Sequence, residues 1–328
     1  MLTKNIQNTF KNKEVLVTGG TGLIGRQVVD ILSSAGGHIT IVSLDKLNVN
    51  KKARHIFGDL TNFEFCKKIT KNKDFVFHLA GIKGSIEVTK SKPASFFVPL
   101  IMMNTNILEA SRLNGVKKLV YTSSIGAYSP AEIFKENENN DGEPMDTFPG
   151  WAKRMAEKQI EAYKIQYSMT NFAIVRPCNV YGPGDNFDAE NAMVIPSLMS
   201  RIYKKENPVI VWGDGSAIRD FLYSRDAAEG VILALHYGTK GGFVNLGSGK
   251  GYSICELVET LHSFINFNYR FDKSKPSGYP KRIMDMSLAK RVINFDVSTS
   301  LLEGLQETWE WFLKNQYEYK KKKNYFKY

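Results

Sequence analysis

Cysteine is scarce in this 328-residue chain, with only Cys66, Cys178 and Cys255, widely scattered and without metal-ligand spacing. A disulfide framework and a metal site are therefore not expected, and the count suits a reducing cytoplasm. Long apolar runs are missing as well. The longest, "FFVPLIMMN" from Phe96 to Asn104, falls well short of the ~18 residues that span a bilayer. No charged-then-apolar leader opens the sequence, so neither export nor membrane insertion is expected. Internal repeats and low-complexity linkers are absent too. Acidic residues are in deficit, 33 against 44 Lys and Arg, for a formal charge of +11. Part of the excess lies in the tail "YEYKKKKNYFKY". With no nucleic-acid fold signature beside it, the charge reads as a solvated tail and a field suited to an anionic substrate.

What is present is ordinary globular material, 43% hydrophobic and ample for a large core. "EVLVTG" (14–19), "HITIVSL" (38–44), "FVFHLA" (75–80), "KLVYTSS" (118–124) and "FAIVRP" (172–177) read as buried parallel strands. Helical lengths and periods fill 22–35, 93–114 and 151–168 between them. That alternation predicts an α/β fold, a doubly wound parallel sheet. The later part is mixed, with helices near 192–205, 224–236 and 299–314 and a strand at 209–212. Pro99 should kink the second long helix. Apolar residues around it cover more than one stripe, which suits core packing first and a subunit interface second.

"VTGGTGLIG" sets Gly19, Gly22 and Gly25 directly after the first strand and at the start of a helix. Glycine there lets the backbone approach a pyrophosphate, and the helix end supplies free N–H donors. Asp45 follows the second strand, where a carboxylate accepts ribose hydroxyls and repels a 2′-phosphate. NAD is therefore expected in preference to NADP. Asp59, after the third strand, is placed to meet the adenine amine or to cap a turn.

These glycines, "GDL", "HLAG", "TSS", the Lys153 helix and "RPCNVYGPGDNF" together resemble the extended short-chain dehydrogenase/reductases that act on nucleotide sugars. The similarity runs from about residue 12 to 315, and within that superfamily it looks nearest the GDP-fucose synthases. "NVYGPGDNFDAENAMVIPSL" (179–198), "VWGDGSAIRDFLYSRDAA" (211–228) and "FDKSKPSGYPKRIMDMS" (271–287) carry it into the substrate-binding half. The resemblance implies a Rossmann-type domain from 1–178 with about 218–248, and a smaller mixed α/β lobe from about 179–217 and 249–314. A basic tail, 315–328, follows. It also implies that Leu23, Ile24, Leu60, Leu79, Ala80, Gly81, Lys83, Lys153, Pro177 and Val180 line the cofactor. Ser124, Ile125, Asn179, Met193, Val194, Arg201, Trp212, Arg219 and Lys281 are implied at a GDP-sugar, with Arg282 in the same basic motif. Asp220 and Tyr223 look structural, pinning the loop of Arg219. A homodimer through the helices at 93–114 and 151–168 is implied as well.

In that family a Ser or Thr, a Tyr and a Lys handle the reacting carbon, with an Asn behind them; the Tyr is general acid/base, helped by the Lys ammonium. Ser124 and Lys153 match. The Tyr position, four before Lys153, is Pro149, and the Asn position is Leu100. The Cys and His that would epimerise carbons 3 and 5 correspond to Gly126 (or Ile125) and Met193, so double epimerisation is not expected. "SSIGAY" also lacks the acidic residue of the sugar dehydratases. What remains is hydride transfer at one carbon, most naturally carbon 4. Ser124 with Lys153 and a solvent relay is the expected proton path, with Tyr128 a further candidate and Tyr181 a weaker one. The expectation is an NAD-dependent 4-dehydrogenase or 4-reductase of a GDP-sugar, a GDP-manno-heptose by analogy, in surface or capsular polysaccharide precursor synthesis. A 4-epimerase with retained NAD and a non-catalytic sensor are the alternatives.

Overall fold

The computed structural model describes residues 2–82, 86–138, 140–188 and 191–318. The first half runs α1 (Lys4–Phe10), β1 (Glu14–Thr18), α2 (Leu23–Ser34), β2 (His38–Ser43), β3 (Arg54–Phe57), α3 (Phe63–Thr70), β4 (Phe75–His78), α4 (Ile86–Ser91), α5 (Pro93–Leu113) and β5 (Lys118–Thr122). After a 3-10 turn at Ile125–Ala127 come β6 (Ile133–Phe134), α6 (Thr147–Tyr167), β7 (Phe172–Pro177), β8 (Asn179–Tyr181), α7 (Val194–Tyr203), β9 (Val209–Trp212), β10 (Ile218–Arg219), β11 (Phe221–Tyr223) and α8 (Ser224–Tyr237). β12 (Phe243–Leu246), β13 (Tyr252–Ser253), α9 (Ile254–His262), β14 (Tyr269–Asp272), β15 (Lys281–Met284), α10 (Ser287–Ile293) and α11 (Leu301–Lys314) follow.

Seven strands form one parallel sheet in the order β12-β7-β5-β4-β1-β2-β3. Strand order reverses between β1 and β4, and the crevice beyond their carboxyl ends is where a doubly wound sheet takes its ligand. Side-chain alternation sorts the core onto two faces. Val15, Val17, Phe75 and Phe77 share one buried cluster with Val28 and Val29 of α2 and Val231 of α8. Leu16, Val76, Leu119 and Tyr121 share the other with Leu100 and Ile107 of α5 and Ile160 of α6. Helix α5 runs on through Pro99.

A third buried cluster, with Tyr181, Leu198, Val209, Leu257 and Leu305, lies beyond the sheet. Around it stand the parallel pair β9–β14 and a four-stranded sheet in the order β13-β10-β15-β6. Helix α2 is tied to this part. Arg26 of α2 places Nη2 2.7 Å from Glu318 Oε1, and its guanidinium lies 5.0 Å from the ring centre of Trp311 on α11.

Candidate active site

The first crossover builds a cradle for phosphates. Gly19 turns away from β1 with φ +70°. A Cβ on Gly19 would stand 2.8 Å from the backbone of Ala80, and one on Gly25 would stand 2.2 Å from the carbonyl oxygen of Gly19. Side chains there would force the turn and helix apart. Gly22 caps α2 without a side chain, which leaves the N–H groups of Leu23, Ile24 and Gly25 unsatisfied at the helix end. Such an end suits a pyrophosphate, so the cradle fits a nicotinamide dinucleotide. Thr21 Oγ1 donates to Asp45 Oδ2 at 3.0 Å and draws that carboxylate to the cradle. Asp59 is exposed and accepts from the Thr61 N–H at 2.9 Å, while Leu60 is buried. Leu79, Ala80 and Gly81 continue from β4 along the crevice. Pro177 ends β7 and Val180 lies in β8, paired with Leu222 of β11. Lys83 lies outside the described residues.

Helix α6 delivers Lys153 to the same crevice. Its Nζ donates to the Thr122 carbonyl at 2.6 Å and sits 5.1 Å from the ring centre of Tyr121. It also lies 3.7 Å from where a Cβ on Gly81 would be. Burial pushes the ammonium down to about 8, with the Glu157 carboxylate opposing that shift. Glu157, one turn on, fixes the helix: Arg176 of β7 grips it through Nε and Nη2 at 2.8 and 2.6 Å, and Ser123 Oγ donates to it at 2.5 Å. Beneath Lys153 runs a buried polar chain that sequence reasoning missed. Thr18 Oγ1 meets His78 Nδ1 at 2.8 Å, His78 Nε2 meets Asn104 Oδ1 at 3.0 Å, and Asn104 Nδ2 donates to the Tyr121 hydroxyl at 3.0 Å. Burial, helped by Lys153, holds His78 down near 3, so it is neutral. No sequence spacing links these residues; the β1–β4–β5 register aligns Thr18, His78 and Tyr121, and α5 packed on the sheet adds Asn104.

Ser124 is half-buried at the mouth, its Oγ accepting from the Gly126 N–H at 3.0 Å, and Ile125 beside it is buried. Pro149 occupies the first turn of α6. Both tyrosine candidates are corrected here. Tyr128 is fully buried, donates its hydroxyl to Asn245 Oδ1 at 2.7 Å and lies against the Arg176 guanidinium. Tyr181 is buried and donates to the Leu301 carbonyl at 3.4 Å. Burial pushes both phenols up, so neither is a proton carrier for the crevice.

An acidic group does reach this place, from a distant segment. Asp146, the N-cap of α6, makes no side-chain capping bond. A Cβ on Gly126 would come within 2.0 Å of its Oδ2, so its carboxylate lies directly against the residue two beyond Ser124. The backbone pins it there, the Asp146 N–H donating to the Gly126 carbonyl at 3.2 Å and Met145 N–H to Tyr128 at 2.7 Å. Burial raises the Asp146 carboxyl above its ordinary value, with Arg282 pulling the other way.

The basic residues gather unevenly. Arg219 and Arg282 are register partners on β10 and β15, so their side chains share one face. Burial first, and then Arg282, brings the Arg219 guanidinium down to about 10. Arg219 donates to the carbonyls of Ile218 and Ser277 at 2.8 and 3.2 Å. Asp220 holds the loop, accepting from the Ser248, Gly249 and Met284 N–H groups at 2.7 to 3.2 Å. Asn179 Nδ2 donates to the Asp220 carbonyl at 3.0 Å. Met193 caps α7 and Val194 begins it, both half-buried. Arg201 departs from expectation: it spends its fork on Glu206. Trp212 is exposed with the Lys275 ammonium 5.7 Å over its ring, and Lys281 Nζ is 3.9 Å from Glu132.

The pattern of a glycine cradle, a lysine on α6 and a serine at the end of β5 matches a known family over residues 15–247, described as NAD dependent epimerase/dehydratase. The chain belongs to that family. Among curated relatives it is 30% identical to GDP-L-fucose synthase 1 of Arabidopsis thaliana, over 93% of this chain and 94% of that one. A GDP-L-fucose synthetase from Naegleria fowleri bound to NADP superposes with a TM-score of 0.79 at 27% identity, covering 93% and 95% of the two chains. The UDP-glucose 4-epimerase of Thermotoga maritima, solved with UDP-glucose, gives 0.79 at 28%, covering 92% and 99%. As a member of the epimerase/dehydratase family the chain uses a nicotinamide cofactor. Among the described residues no cluster of His, Cys, Asp and Glu could hold a metal ion, and no helix is long and apolar enough to cross a membrane.

Proposed function

We propose that the protein is an NAD-dependent oxidoreductase acting at carbon 4 of a GDP-linked sugar, working in the cytoplasm on precursors of surface polysaccharide. The observation that carries this reading is Lys153 Nζ bonded to the Thr122 carbonyl, two residues before Ser124, with Arg219 and Arg282 side by side on β10 and β15, although Pro149 stands where the family resemblance places a tyrosine. GDP is favoured by the GDP-L-fucose synthases among the relatives. NAD is favoured by the Asp45 carboxylate, which would repel a 2′-phosphate. The nicotinamide, when bound, supplies the two-electron acceptor. The chain's part is to hold the ribose through Lys153, orient the sugar hydroxyl through Ser124 and neutralise the diphosphate through the arginines.

Residues 1–178 with about 218–248 would hold the dinucleotide, and about 179–217 with 249–314 the nucleotide sugar. Two chains would pair through α5 and α6, where Val98, Met102, Phe148 and Met155 are exposed. The test is single-turnover absorbance of reduced nicotinamide with a panel of GDP-sugars, a GDP-manno-heptose included. Reduced cofactor with at least one sugar is expected and is lost in Lys153→Ala. A panel in which no sugar reduces the cofactor would sink the reading. The Thermotoga relative favours a second one, a 4-epimerase that keeps its NAD; inverted carbon 4 without net reduction would select it.

A further inference from the structure

Oxidising an alcohol needs somewhere for the hydroxyl proton to go, and neither Tyr128 nor Tyr181 can take it. We propose that the Asp146 carboxylate accepts the proton of the sugar hydroxyl being oxidised, in the part a tyrosine at position 149 would otherwise play. The assignment rests on the functional reading above and supplies its missing base.

The geometry is specific. Asp146 stands just ahead of α6 as its N-cap, and Lys153 lies within that helix. Gly150 lets α6 pack onto the turn after Ser124: a Cβ there would stand 2.4 Å from the Gly126 carbonyl oxygen. Ser124 Oγ and the Asp146 carboxylate both abut Gly126, which puts them within about 8 Å of each other even with every link extended. A sugar hydroxyl held by Ser124 would then lie near the carboxylate. The glycine matters as much as the acid, because any side chain at 126 would occupy the carboxylate's place.

The carboxylate is also uncommitted. It does not cap its own helix and accepts no hydrogen bond from a described residue, and the residue is only half-buried. A charged group faces it from β15: Arg282, with Arg219 beside it in the register. Thr147, next in the chain, has φ +43°, a strained value for a β-branched residue. In the step proposed, the O–H bond breaks with its proton passing to a carboxylate oxygen, and its electron pair closes the carbonyl. The C–H bond breaks with hydrogen and both electrons leaving to the oxidised nicotinamide dinucleotide.

The test compares Asp146→Asn, equal in size and unable to take the proton, with the wild-type holoenzyme on a GDP-sugar the wild type oxidises. Turnover should fall by roughly 10²–10⁴, with KM little changed and cofactor fluorescence unaltered. Added formate should restore part of the turnover of Asp146→Ala. Gly126→Ala, which keeps the acid but displaces it, should also slow turnover. An Asp146→Asn enzyme within a factor of about three of wild type would overturn the proposal. Carboxyl ¹³C titration of the cofactor-free wild type is a readout independent of activity and decides the matter if the variants fail to fold. A midpoint above free aspartate, rising further in Arg282→Ala, supports the assignment; one below about 4 makes the group too weak a base and rejects it. If the wild type oxidises no GDP-sugar, the functional reading falls, while the titration still judges the carboxylate.

Discussion

Lys153 shows what one residue costs the fold for the sake of its site. Its ammonium is charged and enclosed, lowered from 10.5 to about 8. Below pH 8 the folded and unfolded chains both carry the proton, and the folded one bears the full penalty of burying it. Between 8 and 10.5 the folded chain has released its proton while the unfolded chain still holds one, so the penalty fades as pH rises. Lys153→Met should therefore stabilise the cofactor-free protein by about 2 kcal/mol at pH 7, a gain that vanishes above about pH 10.5, in urea melts across that range. Lys153 and Ser124 were legible because their neighbours in the sequence are the motif. Asp146 was not: it stands 22 residues after Ser124, and only the Met145–Tyr128 and Asp146–Gly126 backbone bonds bring it back. Tyr128 was misread for the opposite reason. Spacing from Ser124 put it near the chemistry, but the 3-10 turn at Ile125–Ala127 swings its ring into the core against Phe134.

Helix α6 is the element on which the site depends, and it is held by charge as well as by packing. The Arg176–Glu157 pair is buried on both sides and closes against Ser123, which ties α6 and β7 to the residue that follows β5. Removing one partner leaves a buried charge alone. Arg176→Met should cost about 3–5 kcal/mol in denaturant melts, and Lys153, one turn away, should loosen its hold on cofactor. The long helices and inner strands were readable from period and length. Helix α6 begins at Thr147, four residues ahead of the helical period expected over 151–168, with Pro149 in its first turn, where a missing N–H costs nothing. β12 was missed because four residues of strand, "FVNL", carry no period of their own and exist only by pairing with β7.

At the scale of the whole molecule, alternation of strand and helix was enough to give the parallel sheet. The second lobe was less legible, since β6, β10 and β15 come from three separate stretches and meet only in space. Its arginine pair follows from that meeting. The pairing through α5 and α6 is testable by sedimentation: wild type should be a dimer at micromolar concentration, and Met102→Glu with Met155→Glu a folded monomer. A double variant that stays dimeric would move the interface elsewhere.

The clamp of Glu318 and Trp311 on Arg26 means that the far end of the chain acts as a latch on the helix that cradles the phosphates. Trimming the lysine-rich residues beyond 318 should leave dinucleotide affinity as it was. Glu318→Ala with Trp311→Ala should free the Arg26 guanidinium, slacken that helix and weaken the dinucleotide several-fold in equilibrium titration.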